Sequence, residues 1–478
     1  MSTRRALAFS FLDRYAGLVL TIAASMFIAR LLTPAEIGVY SVTMVLLTFI
    51  STLRDFGAGQ YLVQEKELTR ERIRATWTML LGTGLTFAIV VALAAKPVSA
   101  FYGDPRMFDI LLVVSLNFAI NPFGSLTYAW LMREMRFEAL AMMRFASGLA
   151  GAGTSVLLAW QGVGPLSLAY GSLAATLVNA VFAARYRPQG FPWLPGRSGL
   201  RRVVAFGGRL SATSLINNIA SSAPELLLGK LRSLTEAAYY SRANGLAMMF
   251  QRLVLDATQA VAMPMFAKES REKGSITESF MLALSYITAL GWAFFAGLTL
   301  LAYPSIRLLY GDQWDSAVTT TRWLAIAFSL GLPAALCTTA LMAVGAVAVL
   351  LRITFIIVIV QVALVGATAN SGVDAVALGV VVAQAIGVVV WLWYTRQAVA
   401  FRWIAMLKVL SKSAFVAAIT ALAPLLAVML YGWKPASPWP SLLLSSVGGC
   451  VLFVGAVIVV GHPLQREVDK LREQFLPA

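Results

Sequence analysis

The chain has 478 residues but few of the groups on which polar chemistry usually depends. It holds one histidine, two cysteines and only 13% charged residues, against about 25% in soluble domains. Cys337 and Cys450 both lie in apolar stretches and indicate neither a disulfide framework nor a metal site. The single His462 leaves little equipment for metal binding or for Cys/His nucleophilic chemistry. We therefore expect no metal, no cofactor and no enzyme active site of these kinds.

What is abundant is apolar sequence, which makes up 59% of the chain. It recurs in runs close to the roughly 20 residues that span a bilayer as a helix. The pattern predicts an all-α polytopic membrane protein with about fourteen transmembrane helices. The predicted spans are residues 11–31, 37–61, 77–95, 109–131, 142–160, 164–184, 203–229, 238–265, 278–302, 316–343, 352–371, 374–395, 411–431 and 441–462.

The net charge of +16 is distributed as a topology signal. In a soluble protein such a charge would suggest a nucleic-acid partner, but here the basic residues lie in short connections between apolar runs. Of the 38 lysines and arginines, 24 fall on the side that holds both predicted termini and 7 on the other side. The positive-inside rule therefore predicts that both termini are cytoplasmic, and no nucleic-acid partner is expected.

Two halves of the chain share short motifs. The sequence LLTPAEIGVYS at 31–41 resembles LRSLTEAAYYS at 231–241, and the Tyr-Gly-Asp at 102–104 returns at 310–312. A duplicated helical unit is typical of secondary transporters. Because each unit has an even number of spans, the two should share one orientation, as a parallel pseudo-repeat. The predicted organisation is an N-terminal six-helix lobe (1–184), a cytoplasmic inter-lobe linker (185–202), a C-terminal six-helix lobe (203–395), and two extra helices with a cytoplasmic tail (396–478).

Seven arginines, and no lysine, lie inside the predicted spans or just within their ends. An arginine at the bilayer centre costs about 2.5–3.5 kcal/mol on insertion scales, so those that cannot reach the interface should face protein or a watery cavity. They outnumber the four acidic residues placed in the same way, which are Asp13, Asp55, Glu225 and Asp256. The arginines are Arg14, Arg54, Arg144, Arg209, Arg242, Arg252 and Arg322.

The arginines follow the repeat. Arg14 and Arg209 lie near the start of the first span of each lobe, whereas Arg54 and Arg252 lie late in the second. At about 1.5 Å per residue, all four should lie toward the cytoplasmic end of an inter-lobe cleft. Two others, Arg242 and Arg322, should lie nearer the outer face. Since arginine binds phosphate through a bidentate fork and stays charged, this surplus predicts an anionic, phosphate-bearing substrate.

The seventh predicted span carries polar residues at spacings of three and four, which predicts one wet helix face. Asn217 and Asn218 on this face are candidate substrate-binding residues, and Asp55, Asp256 and Glu225 are candidates for ion coupling. Simpler interpretations remain open. The neighbouring charges can be structural ion pairs, the asparagines can join helices, Arg144 can be an interfacial anchor, and the Tyr-Gly-Asp motifs can be external turns.

Two sequences carry a family resemblance: IARLLTPAEIG at 28–38 and RDFGAGQ at 54–60. Over these residues the chain resembles the Wzx-type oligosaccharide flippases of the polysaccharide transporter family, within the multidrug/oligosaccharidyl-lipid/polysaccharide exporter superfamily. The resemblance implies a V-shaped pair of six-helix bundles with alternating access, in a bacterial inner membrane. It also implies that basic cleft residues hold a pyrophosphate, a role that Arg14, Arg54, Arg209 and Arg252 fit best. The two extra spans, about 411–462, would shape a groove for a lipid tail.

The implied function is to flip undecaprenyl-pyrophosphate-linked oligosaccharide repeat units from the cytoplasmic to the periplasmic leaflet, for exopolysaccharide or O-antigen assembly. Coupling to an ion gradient and association with a polysaccharide polymerase or export machinery are further expectations. One alternative is a multidrug or cation antiporter of the same superfamily, which would favour acidic cleft residues. A more remote alternative is a membrane polysaccharide polymerase or glycosyltransferase, which would need a sizeable aqueous loop carrying its reactive groups.

Overall fold

The structure is a computed structural model that describes residues 3–55, 58–65, 67–188, 191–192, 194–196, 200, 218–467 and 469. Within these residues all regular secondary structure is helical. Side chains are described at these positions except 3–14, 53–55, 58, 60, 64 and 273. The predicted all-α class is confirmed.

The density of internal contacts divides the chain into two compact units, Met1–Ala238 and Tyr239–Ala478. The predicted lobe boundaries stay predictions. The helices of the first unit are α1 (Thr3–Leu31), α2 (Pro34–Asp55), α3 (Ala58–Gln64), α4 (Arg70–Tyr102), α5 (Arg106–Arg133), α6 (Phe137–Trp160), α7 (Leu166–Tyr186) and α8, whose described part is 218–231.

Helix α9 (Leu234–Ala247) begins in the first unit and ends in the second, where a π-helical turn (Gln251–Leu255) follows it. The remaining helices are α10 (Asp256–Lys273), α11 (Thr277–Leu300), α12 (Ala302–Leu309), α13 (Ala317–Gly331), α14 (Cys337–Ala343), α15 (Val347–Thr368), α16 (Val373–Val399), α17 (Trp403–Tyr431) and α18 (Pro438–Val459).

Ten helical segments of the described chain are long and apolar enough to cross a membrane, and each coincides with a predicted span. The chain is therefore a multi-pass membrane protein. Four predicted spans are not among the ten. The first contains a shorter apolar helix, Tyr15–Leu31, and the seventh falls partly outside the described residues. The fifth is helical, and the eighth is helical but contains the π turn. The count of fourteen stays a prediction.

The duplicated motif caps helices. Both the backbone N–H and the hydroxyl of Thr33 donate to Glu36 Oε2 at 2.8 Å, and the Glu36 N–H donates to Thr33 Oγ1 at 3.3 Å. In the second copy the Glu236 N–H donates to Ser233 Oγ at 3.1 Å. These contacts satisfy N–H groups that the first helical turn leaves without partners. The Thr/Ser-x-x-Glu spacing thus starts α2 and α9.

The Tyr-Gly-Asp motifs are turns. Gly103 ends α4 with a φ of +74° and donates its N–H to the Ser99 carbonyl, and Gly311 follows α12 with a φ of +96°. Both φ values favour glycine. In the first turn the Arg106 guanidinium donates to both carboxylate oxygens of Asp104, at 3.0 and 2.6 Å. This hydrogen bonding holds the pKa of Asp104 below its ordinary value.

Small residues allow helices to approach closely, as expected where lipid removes most of the hydrophobic drive for helix association. Helices α6 and α7 meet at Gly151 and Gly171, where a Cβ on Gly171 would lie 1.8 Å from Ser155 Oγ. The tightest approach to a backbone atom concerns the duplicated motif. A Cβ on Gly38 of α2 would lie 1.9 Å from the carbonyl oxygen of Leu234, the first residue of α9. The starts of α2 and α9 are therefore in backbone contact.

Replacing Gly38 by alanine should destabilise the protein. The new methyl group would have to displace a backbone carbonyl, and overpacking of this kind costs about 1–3 kcal/mol. Gly82 of α4 is the matched control, because a Cβ there meets nothing within 4 Å and Gly→Ala inside a helix gains about 0.5–1 kcal/mol. Thermal unfolding in detergent should show a lower Tm for Gly38→Ala and an unchanged or higher Tm for Gly82→Ala. Equal Tm values for the two variants would contradict the close contact.

A buried polar network joins α11, α17 and the segment that follows α18. The Thr288 hydroxyl donates to Ser413 Oγ at 2.9 Å, and His462 Nε2 lies 3.2 Å from the same oxygen. His462 Nδ1 accepts the Leu464 N–H at 3.2 Å, so in the neutral ring the proton resides on Nε2. The network fixes the end of the last helix against the rest of the second unit.

Acid should weaken this attachment. His462 lies beyond α18 and is 1% exposed. Burial, and secondarily the Lys412 ammonium, lower its pKa to about 4, whereas the unfolded chain titrates near about 6.5. The stabilisation is therefore complete above about pH 6.5 and is lost as the pH falls toward 4. The Tm should fall over this range, and His462→Gln, which keeps an N–H donor but does not titrate, should flatten the profile. An identical profile for the variant would refute this origin.

Candidate functional site

The predicted site residues divide into those the structure describes and those it does not. Arg209 and Asn217 lie outside the described residues. Arg14, Arg54 and Asp55 lie on the described backbone of α1 and α2, but their side chains are outside the described set. The remaining site residues are Asn218 and Glu225 in the first unit, and Arg242, Arg252, Asp256 and Arg322 in the second.

The polar face of α8 is partly packed. Asn218 Nδ2 donates to Thr52 Oγ1 of α2 at 2.6 Å, which is the interhelical hydrogen bond that the sequence left open as an alternative. Ser222 and Glu225 are only 7% and 8% exposed, whereas Ser221 is exposed. Of the two predicted coupling acids whose side chains the structure describes, Glu225 is therefore the buried one.

Arg252 and Asp256 lie in and just after the π turn, and both are exposed. Gln251 Nε2 donates to Asp256 Oδ1 at 2.9 Å. The turn falls where the repeat would place the end of α2, since residue 255 corresponds to Asp55 at the offset of 200. The second copy therefore departs from regular α-helix at the predicted charged pair, whereas Arg54 and Asp55 of the first copy are α-helical. Turns of the π type occur frequently at functional sites.

Arg242 lies against two neighbouring aromatic rings. Its guanidinium carbon lies 5.5 Å from the ring centroids of both Tyr310 and Trp314, and the Tyr239 ring packs edge-on against Trp314. Tyr310 belongs to the second Tyr-Gly-Asp motif. The sequence separates Arg242 from these rings by some 70 residues and gave no sign of the stacking. The repeat itself was the available signal, since it places both motifs near the outer face.

Arg322 lies on α13 with its guanidinium carbon 4.8 Å from the Trp433 ring centroid. Trp433 follows the end of α17, so the contact joins the last helix pair to the second lobe. Cation–π stacking of this kind contributes about 0.5–2 kcal/mol. The two arginines predicted near the outer face thus each contact aromatic rings in the second unit.

The second unit contains an apolar groove of about 970 Å³. Helices α11, α13, α16 and α17 line it, with Trp292, Phe295, Leu330, Leu392, Trp403 and Met406 among the larger side chains. Trp292 donates its indole N–H to the Ser329 carbonyl at 2.9 Å, which leaves its ring as apolar surface. Of the two extra helices only α17 lines the groove, because α18 packs behind α17. The groove had no sequence signature, since four separated helices contribute ordinary apolar residues to it.

Comparison with known proteins identifies the family of this chain. The family model described as "Polysaccharide biosynthesis protein" matches residues 27–319, which is more than half of the chain. The chain belongs to this family. The family resemblance of residues 28–60 is confirmed.

Two curated proteins are similar to this chain in sequence. It is 28% identical over 371 residues to the succinoglycan biosynthesis transport protein ExoT of Rhizobium meliloti (strain 1021), covering 76% of this chain and 72% of that protein. It is 23% identical over 304 residues to the lipopolysaccharide biosynthesis protein WzxC of Escherichia coli (strain K12), covering 63% and 61%.

Solved structures establish the fold class. An inward-closed structure of the lipid II flippase MurJ matches with a TM-score of 0.77 at 15% identity, over 96% of this chain and 98% of that one. An inward-facing multidrug resistance transporter of the MATE family matches with a TM-score of 0.66 at 16% identity, over 80% and 94%. The family member therefore has a MurJ/MATE-like fold.

Cysteine labelling will show whether the α8 face meets water. In a Cys450→Ser background, Ser221→Cys should react with a charged, membrane-impermeant maleimide, and the buried Ser222→Cys should not. Ile219→Cys is the control, because Ile219 is 44% exposed but lies off the polar face and should contact lipid. Labelling of Ser221→Cys alone supports a wet face. Equal labelling at 219 and 221, or none at 221, would contradict it.

Proposed function

We propose that the protein is a flippase that carries undecaprenyl-pyrophosphate-linked oligosaccharide repeat units across a bacterial inner membrane. The direction is from the cytoplasmic to the periplasmic leaflet, by alternating access, for exopolysaccharide or O-antigen assembly. Both termini are cytoplasmic in this proposal, and the protein acts as a transporter without catalysing a covalent step. Membership of the polysaccharide biosynthesis family and the transport function named for ExoT support it.

The observation that carries the proposal is the length of the apolar groove. Its lining on α17 runs from Trp403 to Ala421, which corresponds to about 27 Å of helix at 1.5 Å per residue. The hydrocarbon core of a bilayer is about 30 Å thick. A groove of this length suits a polyprenyl chain that extends beyond one leaflet. Water-soluble drugs and inorganic cations do not require such a surface.

The arginines supply the complementary headgroup chemistry. In the inward-open state Arg14 and Arg209 would capture the pyrophosphate, with Arg54 and Arg252 at the same end of the cleft. Exposed Arg252 on the π turn is the described member of this set. Asn217 and Asn218 would contact the headgroup or its sugars. Arg242 or Arg322 would take part once the site opens outward.

Coupling to an ion gradient would act through acidic residues. Glu225 is the buried candidate, whereas Asp256 is exposed and accepts a hydrogen bond from Gln251. Asp55 is the third candidate. A polysaccharide polymerase or export complex would take the flipped repeat unit at the outer leaflet.

Reconstitution tests the proposal against the drug-antiporter alternative. Purified protein in liposomes should translocate a fluorescent undecaprenyl-pyrophosphate oligosaccharide, and the Arg14→Ala/Arg209→Ala variant should do so at least about tenfold more slowly, because two charge-assisted phosphate contacts are lost. Arg271→Ala/Arg352→Ala removes the same charge at exposed positions outside the candidate site and should flip at the wild-type rate.

Equal rates for the two double variants would remove the arginines from the headgroup site. Absence of flipping by the wild type under an imposed proton or sodium gradient, together with gradient-driven drug efflux, would replace the proposal with the antiporter function.

A further inference from the structure

The predicted outer end of the apolar groove carries a positive charge. Arg322 lies four residues before Ile326 and seven before Ser329, both of which line the groove. At 100° per residue these three residues share one face of α13. Arg322 therefore extends the lined face of the helix by about 6 Å, or one turn, beyond the groove.

Two acidic groups, just before α13 and in the first turn of α16, have other partners. Asp315 accepts both hydrogen bonds of a bidentate pair from Arg307, at 2.8 and 2.6 Å. Asp374 accepts the Thr320 hydroxyl at 2.6 Å. Within the described part of the chain, Arg322 has no carboxylate within salt-bridge distance, and its buried Nε atom has no hydrogen-bond partner. The Arg322 guanidinium contacts the Trp433 ring.

This arrangement suits an anionic ligand more than a purely structural role. The contact with the Trp433 ring, 4.8 Å from the guanidinium carbon, does not use the N–H donors of Arg322 in a hydrogen bond to an acceptor atom. Those donors match the oxygens of a phosphate in a bidentate geometry. An arginine near apolar surface costs free energy unless an anion or water compensates it.

We propose that Arg322, braced by Trp433, binds the phosphate of a polyprenyl-phosphate lipid whose tail lies in the apolar groove, as a station at the outer leaflet. The occupant follows from length and charge. A glycerophospholipid acyl chain reaches about half of the 30 Å hydrocarbon core, whereas the groove follows α17 for about 27 Å. The cation at one end selects a phosphorylated lipid over the free alcohol. The inference rests on the proposed function, since it concerns the carrier of the same substrate.

Binding measurements in nanodiscs test the station directly. Undecaprenyl pyrophosphate, undecaprenol, phosphatidylglycerol and inorganic pyrophosphate are compared as ligands. The Arg14→Ala/Arg209→Ala background removes the two arginines proposed to capture the pyrophosphate at the inner headgroup site. In that background undecaprenyl pyrophosphate should bind at least about tenfold more tightly than undecaprenol, and Arg322→Gln should abolish the preference. Trp433→Leu should weaken it, and Arg322→Lys should retain part of it because charge remains without the planar fork.

Lys96→Gln is the charge-matched control, an exposed residue outside both candidate sites, and it should leave the preference intact. Size-exclusion profiles and Tm values establish that each variant is folded. If Arg322→Gln alone loses its fold, Arg322→Lys and Trp433→Leu decide the outcome.

The outcomes separate this inference from the proposed function. A pyrophosphate preference that persists in Arg322→Gln overturns the station even if the wild type flips its substrate. If the preference for undecaprenyl pyrophosphate depends on Arg322 but the wild-type protein does not translocate its substrate, the Arg322 site is supported. Only the proposed flippase function is then contradicted. Equal binding of phosphatidylglycerol would make the groove an ordinary phospholipid site, and binding of inorganic pyrophosphate alone would overturn the role of the tail.

Discussion

The hydrocarbon core of a bilayer offers no hydrogen-bond partner to a peptide group, and most of the architecture follows from this constraint. Each crossing segment must satisfy its own backbone, which favours helices. The cost then concentrates at helix ends, where the first N–H groups and the last carbonyls have no intrahelical partners. At the starts of α2 and α9, N–H groups are capped by the pairs Thr33–Glu36 and Ser233–Glu236. The clearest repeat in the sequence is therefore the motif that caps the starts of two helices.

The same constraint governs the charged side chains. Arg242 and Arg322 each lie against aromatic rings, which offer a cation partial compensation without a counter-charge. Glu225 is buried in α8, a helix that also hydrogen-bonds to α2 through Asn218. These two arginines thus lie against aromatic rings, whereas Arg106 and Arg307 pair with the carboxylates of Asp104 and Asp315.

Ten of the predicted spans could be placed from sequence because bilayer thickness fixes both their length and their apolarity. The π turn at Gln251–Leu255 could not, because inserting one residue into a turn leaves no mark on hydropathy. For the same reason the i,i+4 spacing of Arg252 and Asp256 suggested a regular helical pair. The groove was hidden because its residues, such as Leu330 and Ala421, are also ordinary lipid-facing residues, and only the packing of four helices makes them a surface.

The proposed substrate, a lipid-linked sugar, combines an apolar tail with a polar headgroup, which the groove and the arginines would bind separately. The tail never needs to leave apolar surroundings, so a groove that merely continues the hydrocarbon can hold it weakly along its length. The headgroup needs fixed cations, and arginine provides them without titrating at any physiological pH. Deprotonation of the arginine therefore cannot release a phosphate that is bound to it. Release would come from competing water or from movement of the arginines, and an ion gradient would act on that movement through the acidic residues or through the membrane potential. In the proposed scheme the buried Glu225 would sense the gradient, and the arginines would hold the phosphate of the substrate.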